Sequence, residues 1–198
     1  MSDSLGRRSL ARAAARLALE EGSFLPPLVL FTDDDRLTDP LTAAKALPFG
    51  SIVIVRARQT RRRANLLDEL LPVARARGFL LLVSDDPLLA QRADGLHLPE
   101  ARAHEASQWR ARYPHWLLSA SVHASRSFLR SQADIFFLSP IFATASHPGR
   151  TSLTLWRAAA IAKLAARPVY ALGGITPHNA KSLAGLGFSG LAAISALA

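Results

Sequence analysis

Cysteine is absent from the 198 residues, which removes disulfides, thiolate metal sites and cysteine nucleophiles from consideration. No apolar run approaches the roughly 20 residues a membrane-spanning helix needs, so no membrane partner is expected. Aromatics make up only 7%, and no basic–aromatic interleaving suited to stacking bases occurs, so no nucleic acid is expected either. Lysine is scarce: apart from Lys45, Lys163 and Lys181, the positive charge is arginine. Linkers rich in Gly, Ser or Pro are missing, and so are low-complexity repeats.

What is present is ordinary globular material, 49% apolar and 20% charged, with length for one sizeable core. The formal charge of +9 favours anionic partners, and small phosphorylated molecules use it best. Residues 1–24 read as a leading amphipathic helix with Ser4 or Ser9 as its cap. That stretch is Arg- and Ser-rich, as in some transit peptides, but Asp3, Glu20 and Glu21 argue against one, and it lacks a secretory apolar core. With no cysteine and no signal, a cytoplasmic location is expected.

Short apolar runs recur along 25–198: PLVLFTD at 27–33, SIVIVRA at 51–57, GFLLLVSDD at 78–86 and DGLHL at 94–98. WLLSAS at 116–121, DIFFLS at 134–139, RPVYALGG at 167–174 and SGLAAIS at 189–195 complete the series. They are near-continuous rather than alternating, as parallel strands buried on both faces are. Between them lie helical patterns, among them RRRANLLDELLPVARAR, ASRSFLRSQ and PHNAKSLAGL. Strand–helix alternation of this extent predicts a small single-domain (β/α)8 TIM barrel, 25–198, with 1–24 as a helical extension. A doubly wound open sheet is the alternative, without a dinucleotide fingerprint to support it.

In such a barrel the residues past each strand's C-terminal end converge on one mouth. They are Thr32-Asp33, Arg56 and Arg58, Ser84-Asp85-Asp86, His97 with Glu100, Ser121 with His123, the segment SPIFATASHPG, Gly173-Gly174, and Ile194-Ser195. Gly173-Gly174 ahead of Thr176-Pro177 predicts a backbone anion site at a helix start, with Ser195 on the partner loop; a plain tight turn is the alternative. Arg56 and Arg58, two apart, suit a fork around a diphosphate unless Arg58 faces water. Asp85 is the candidate Mg2+ ligand, with helix capping as its rival and Asp86's too. His97 points into the barrel or into the helix layer, as a satisfied structural histidine or a ligand contact. His104, His115 and His178 form no constellation, and Arg61-Arg62-Arg63 reads as a solvated helix start. No Ser/His/Asp arrangement emerges.

These strand ends resemble the thiamine phosphate synthase family, which shares its barrel with the thiazole tautomerases. The likeness covers about residues 28–197: LFTD at 30–33, VIVRAR at 53–58, VSDD at 83–86, ADGLHL at 93–98, SVH at 121–123, SPIFATAS at 139–146, and ALGGIT with GLAAISAL. It implies coupling of a pyrimidine methyl diphosphate to a thiazole phosphate, giving thiamine phosphate and diphosphate, with loss of CO2 from a carboxylated thiazole. Arg56, Arg58, Ser121 and His123 would serve the chemistry, and Mg2+ would be held by Asp85 and Glu100. Thr144, Ser146 and His147 would line the thiazole carboxylate; backbone at Gly173, Gly174, Ile194 and Ser195 would take its phosphate. Six positions depart from the family: Ile54 replaces a pyrimidine-contacting Gln, Arg58 stands where a Lys is usual, Ser84 replaces an Asn, Glu100 and Arg102 replace a Gln and a second metal-ligand Asp, and His147 replaces a Lys. A tautomerase-like paralogue, which would carry a His in place of Pro140, and a non-catalytic phosphate-binding barrel are the alternatives; homo-oligomerisation is left open.

Overall fold

The computed structural model describes residues 2–123, 128, 131–143 and 152–198. Eight parallel strands close into a barrel in chain order, with β8 returning to β1. They are β1 Leu28–Phe31, β2 Ile52–Val55, β3 Leu80–Ser84, β4 Gly95–Leu98, β5 Leu117–Val122, β6 Ile135–Leu138, β7 Val169–Leu172 and β8 Gly190–Ala193. Each falls within or beside a predicted apolar run. The helices are α1 Ser2–Glu20, α2 Pro40–Lys45, α3 Thr60–Arg77, α4 Pro87–Ala90, α5 Ala106–Arg112 and α6 Leu155–Leu164.

Local chemistry explains where they start and stop. Asp39 and Asp86 cap α2 and α4 by accepting from the amides of Thr42 and Leu89, with Pro40 and Pro87 in the first turn, where a missing N–H costs nothing. Thr154 accepts from Arg157 N at the start of α6. α3 buries Leu66, Leu67, Leu70 and Ala74, one face of a 3.6-residue period, and Gly78 ends it at φ +61°. α1 starts at Ser2, so Ser4 and Ser9 lie inside the helix rather than capping it. Its Leu10, Ala14 and Leu17 are buried in the shell shared with the barrel, and the helix lies along β8 and β1.

One connection differs from expectation. PHNAKSLAGL forms only the 3-10 turn Ala180–Leu183, after Thr176 and Asn179 exchange hydrogen bonds between side chain and backbone. Only the 3-10 turn Ser195–Leu197 follows β8. The helix expected over 124–132 lies outside the described residues, apart from helical Phe128 and the irregular 131–132. Among the described residues, no helix is long and apolar enough to cross a membrane.

The barrel has two cores. Outside the sheet, Val53, Val55, Leu81, Val83, Leu96 and Leu118 pack against the helices. Inside, Val29, Phe31, Ile52, Ile54, Leu82, Ile135, Phe137, Tyr170 and Ala192 fill the lumen. Burying both faces removes most strand side chains from water, at about 25 cal/mol per Å² of apolar surface. Phe31, His97 and Phe137 meet edge to face at centroid distances of 4.9–5.5 Å across the upper lumen. That layer is the floor beneath the mouth.

Candidate active site

Above the floor, the loops after β1–β4 carry a dense set of ion pairs. Thr32, fully buried, donates from Oγ1 to the Arg56 carbonyl and accepts from the Arg56 amide, both at 2.7 Å. It therefore fixes the backbone of Arg56 as it leaves the sheet. Asp33 accepts from Nη1 of Arg56 and Nη2 of Arg36 at 2.8 Å, and from the amides of Asp35 and Arg36. Burial pushes its carboxyl up, but the Arg36 guanidinium, the Asp35 amide and Arg56 outweigh that and bring its pKa down to about 2. The carboxylate that holds Arg56 thus stays ionised throughout the neutral range.

Arg58 is mostly exposed; it pairs with Asp35, and its amide donates to Asp34. Arg62 pairs with Asp34 at 2.7 Å. Arg63, expected in water, turns inward to Asp86 and the Ala57 carbonyl instead. Asp85 takes the left-handed backbone conformation, φ +57°, while its amide donates to the His97 carbonyl at 2.9 Å. The Asp85 carboxylate is met by Nη1 of Arg102, whose Nε and Nη2 fork onto Glu105 at 2.8 and 2.7 Å. Hydrogen bonds to Glu105 and then to Asp85 raise the Arg102 pKa further.

His97 lies in the lumen, 3% exposed, its ring nitrogens 3.0 and 3.1 Å from the hydroxyls of Ser119 and Ser121. Burial, aided by nearby Arg56, lowers its pKa to about 3; it is neutral, one nitrogen donating and the other accepting. The predicted site residue Ser121 therefore spends a hydrogen bond on His97. The serine–histidine–serine row follows from register, since His97 lies beside Ser119 across β4 and β5, and Ser121 is on the same strand face. Alternation of residues 119 and 121 was its only sequence signal.

The loops after β5–β8 are different. His123 donates from Nδ1 to the Ser139 carbonyl at 2.7 Å; its amide donates to Glu100 Oε1 at 2.9 Å, and Nε2 stands 3.8 Å from Glu100 Oε2. Thr144, Ser146 and His147 lie outside the described residues. Gly173 and Gly174 adopt φ +94° and +65°. A Cβ on Gly174 would fall 2.6 Å from the Ala143 carbonyl oxygen and 2.8 Å from Phe142. The pair therefore gives the loop after β6 its clearance, and the Phe142 amide donates to the Gly173 carbonyl at 3.1 Å. Ile194 and Ser195 stand beside this turn's strand, at the end of β8. The helix expected to add its dipole after β7 is only the 3-10 turn, so an anion here would rest on backbone amides alone.

The arginines and carboxylates after β1–β4 largely cancel, so the chain's surplus of positive charge is not gathered there. What the mouth offers is many oriented guanidinium N–H groups on one side and a glycine turn on the other. The fold defines a small (β/α)8 barrel with its polar groups gathered at the C-terminal ends of the strands. The sequence model of the family described as thiamine monophosphate synthase matches residues 28–197. A putative thiamine-phosphate synthase 2 of Aquifex aeolicus is 33% identical over 86% of this chain and 97% of that protein. A thiamine-phosphate synthase of Chlorobium luteolum is 33% identical over 87% and 85% of the two chains. A thiamine phosphate pyrophosphorylase from Pyrococcus furiosus shares the fold, with TM-score 0.68 and 23% identity over 89% of this chain and 88% of that one. The chain belongs to the thiamine monophosphate synthase family.

Mg2+ fits the described residues poorly. Asp85 is met by a guanidinium, and Glu100 is turned to the His123 amide and ring. Among the described residues, no three His, Asp or Glu side chains gather around one point.

Proposed function

We propose that this chain is a transferase, a thiamine-phosphate synthase that couples hydroxymethylpyrimidine diphosphate to a thiazole phosphate. The carbon–oxygen bond from the pyrimidine methylene to diphosphate breaks, and its electron pair leaves on the diphosphate. The thiazole ring nitrogen takes the methylene, and a carboxylated thiazole also loses CO2. The observation that carries the reading is Arg56, fixed through its backbone by Thr32 and through its guanidinium by Asp33, at the position the family resemblance gives to the leaving diphosphate.

Guanidinium groups already oriented at that point stabilise developing charge without reorganising during the reaction. Arg58 is the second arm of the fork; its pairing with Asp35 is exposed, so a phosphate oxygen replaces the carboxylate at little cost. Ser121 and His123 border the reacting methylene. The backbone at Gly173, Gly174, Ile194 and Ser195 takes the thiazole phosphate, with Thr144, Ser146 and His147 on its carboxylate. Ile54, fully buried in the lumen wall, does not offer the pyrimidine the hydrogen bond that the family's Gln would. The site works in the cytoplasm, where its phosphorylated precursors are retained.

Purified protein given both precursors should release diphosphate and form thiamine phosphate, and Arg56→Ala should lose most of that rate. No diphosphate released in the presence of both would reject the synthase reading. One observation favours a second reading: Glu100 sits 3.8 Å from His123 Nε2, an acid–base pair suited to moving a proton on the thiazole. Isomerisation of a carboxylated thiazole phosphate with no pyrimidine present would select the tautomerase reading.

A further inference from the structure

The geometry points to Arg102 as a cation built into the protein at Asp85, taking the place of a divalent metal so that the diphosphate half of the mouth works without one. This rests on the synthase reading for what the diphosphate is, but not for whether it is bound. Four observations converge on it.

First, Arg102 is held from two sides. Nε and Nη2 fork onto Glu105, and Glu105 Oε2 also accepts from Trp109 Nε1 at 3.2 Å. A bidentate fork fixes the plane of the guanidinium and not merely its position. Second, Nη1 is in contact with Asp85 Oδ1, so the carboxylate already has its counter-charge. A metal ion there would have to displace a guanidinium that remains tied to Glu105. Third, Asp85 holds a left-handed backbone, φ +57°, the one positive-φ non-glycine among the described residues, in a region that residues with a Cβ rarely adopt. Its amide bond to the His97 carbonyl keeps it there, and such strain collects where a side chain must be aimed. Fourth, Glu100, the other carboxylate of the 3-10 segment Glu100–Glu105, is committed to His123 on the far side.

The guanidinium is not consumed by these contacts. Nη1 and Nη2 each carry a second N–H, and the side chain is 35% exposed. Those donors lie on the 3-10 segment that follows β4, on the same side of the mouth as Arg56 and Arg58 after β2, with only β3 between the two strands. A diphosphate bridging them meets N–H donors at both ends and needs no metal to screen it from Asp85.

The experiment uses the whole chain and two probes, Mn2+ alone and inorganic diphosphate. Mn2+ binding is read by electron paramagnetic resonance; diphosphate binding is read by calorimetry in EDTA and again with Mg2+. The wild type should take up no Mn2+ and should bind diphosphate within about twofold in the two conditions, whereas Arg102→Gln should lose about tenfold or more in EDTA. Arg102→Asp should gain Mn2+ binding and bind diphosphate only with Mg2+, and thermal melts of both variants verify folding. The proposal is overturned if the wild type binds Mn2+ and Asp85→Asn abolishes that binding, or if EDTA removes its diphosphate affinity. Metal-independent diphosphate binding without coupling would retain Arg102's role and discard the synthase reading. Coupling that needs Mn2+ bound at Asp85 would retain the synthase and discard Arg102's role.

Discussion

The two halves of the mouth are built from different materials. After β1–β4, arginines and carboxylates are laced together: Arg36 and Arg56 on Asp33, Arg58 on Asp35, Arg62 on Asp34, Arg63 on Asp86, and Arg102 on Asp85 and Glu105. After β5–β8 the described groups are a histidine, small hydroxyls and a glycine turn folded against Phe142 and Ala143. A departing diphosphate gains charge as its bond breaks and rewards the first arrangement. On the proposed reading, a phosphate monoester that stays intact needs only to be located, and the second arrangement suits that. The carboxylates of the charged half keep the arginines from repelling one another, and the exposed Arg58–Asp35 pair exchanges partners cheaply.

The sharpest way to break this contrast is Arg56→Ala. Steady-state diphosphate release should fall about 10²–10³-fold, as when an oriented charge-stabilising donor is removed, while thiazole-phosphate binding stays put. A fall below tenfold would mean that the leaving group does not sit in the charged half. Next is Thr32→Val, nearly isosteric, which strips the amide and carbonyl of Arg56 of a buried partner. Urea unfolding should show a loss of about 1–3 kcal/mol. Gly174→Ala probes the other half: its Cβ overlaps the Ala143 carbonyl, so thiazole-phosphate affinity should drop about tenfold by calorimetry, with diphosphate affinity unchanged.

A pH effect of comparable size is expected. His97 binds its proton only near pH 3 in the folded protein and near 6.5 once unfolded, so the unfolded state is the better proton binder between those values. Its contribution to stability is therefore full above pH 6.5 and falls as the pH drops toward 3, by at most about 1.4 kcal/mol per unit. Denaturation midpoints at pH 7 and 5 should show the drop, and His97→Asn should flatten it. Arg58→Ala is expected to have the least effect on stability, under about 1 kcal/mol by urea unfolding, because its ion pair is exposed.

The barrel was legible because parallel strands buried on both faces have nothing to alternate: LVLF, IVIV and IFFL show as apolar runs whatever the loops do. Caps were half legible. Asp86-Pro87 announced a helix start, whereas Asp85, one residue away, reads the same in sequence and does something else, because its φ is set by a bond to the His97 carbonyl across the sheet. The connection after β7 was misread since PHNAKSLAGL has helical spacing, but Thr176 and Asn179 bond to each other's backbone and end it in a short turn. Arg102 was visible as a departure from its family; its partners were not, as Asp85 lies 17 residues back along the chain. Contacts made by closure of the sheet leave no local trace.

The aromatic floor has a consequence for traffic. With Phe31, His97 and Phe137 packed edge to face and the lumen below them filled by Ile52, Leu82, Ile135 and Tyr170, the described residues close the barrel from below. Whatever enters over the loops goes out over the same loops, so on the proposed reading a product seated against the floor leaves after one seated nearer the rim. A protein with a back exit could discharge its products in any sequence; this one imposes a queue.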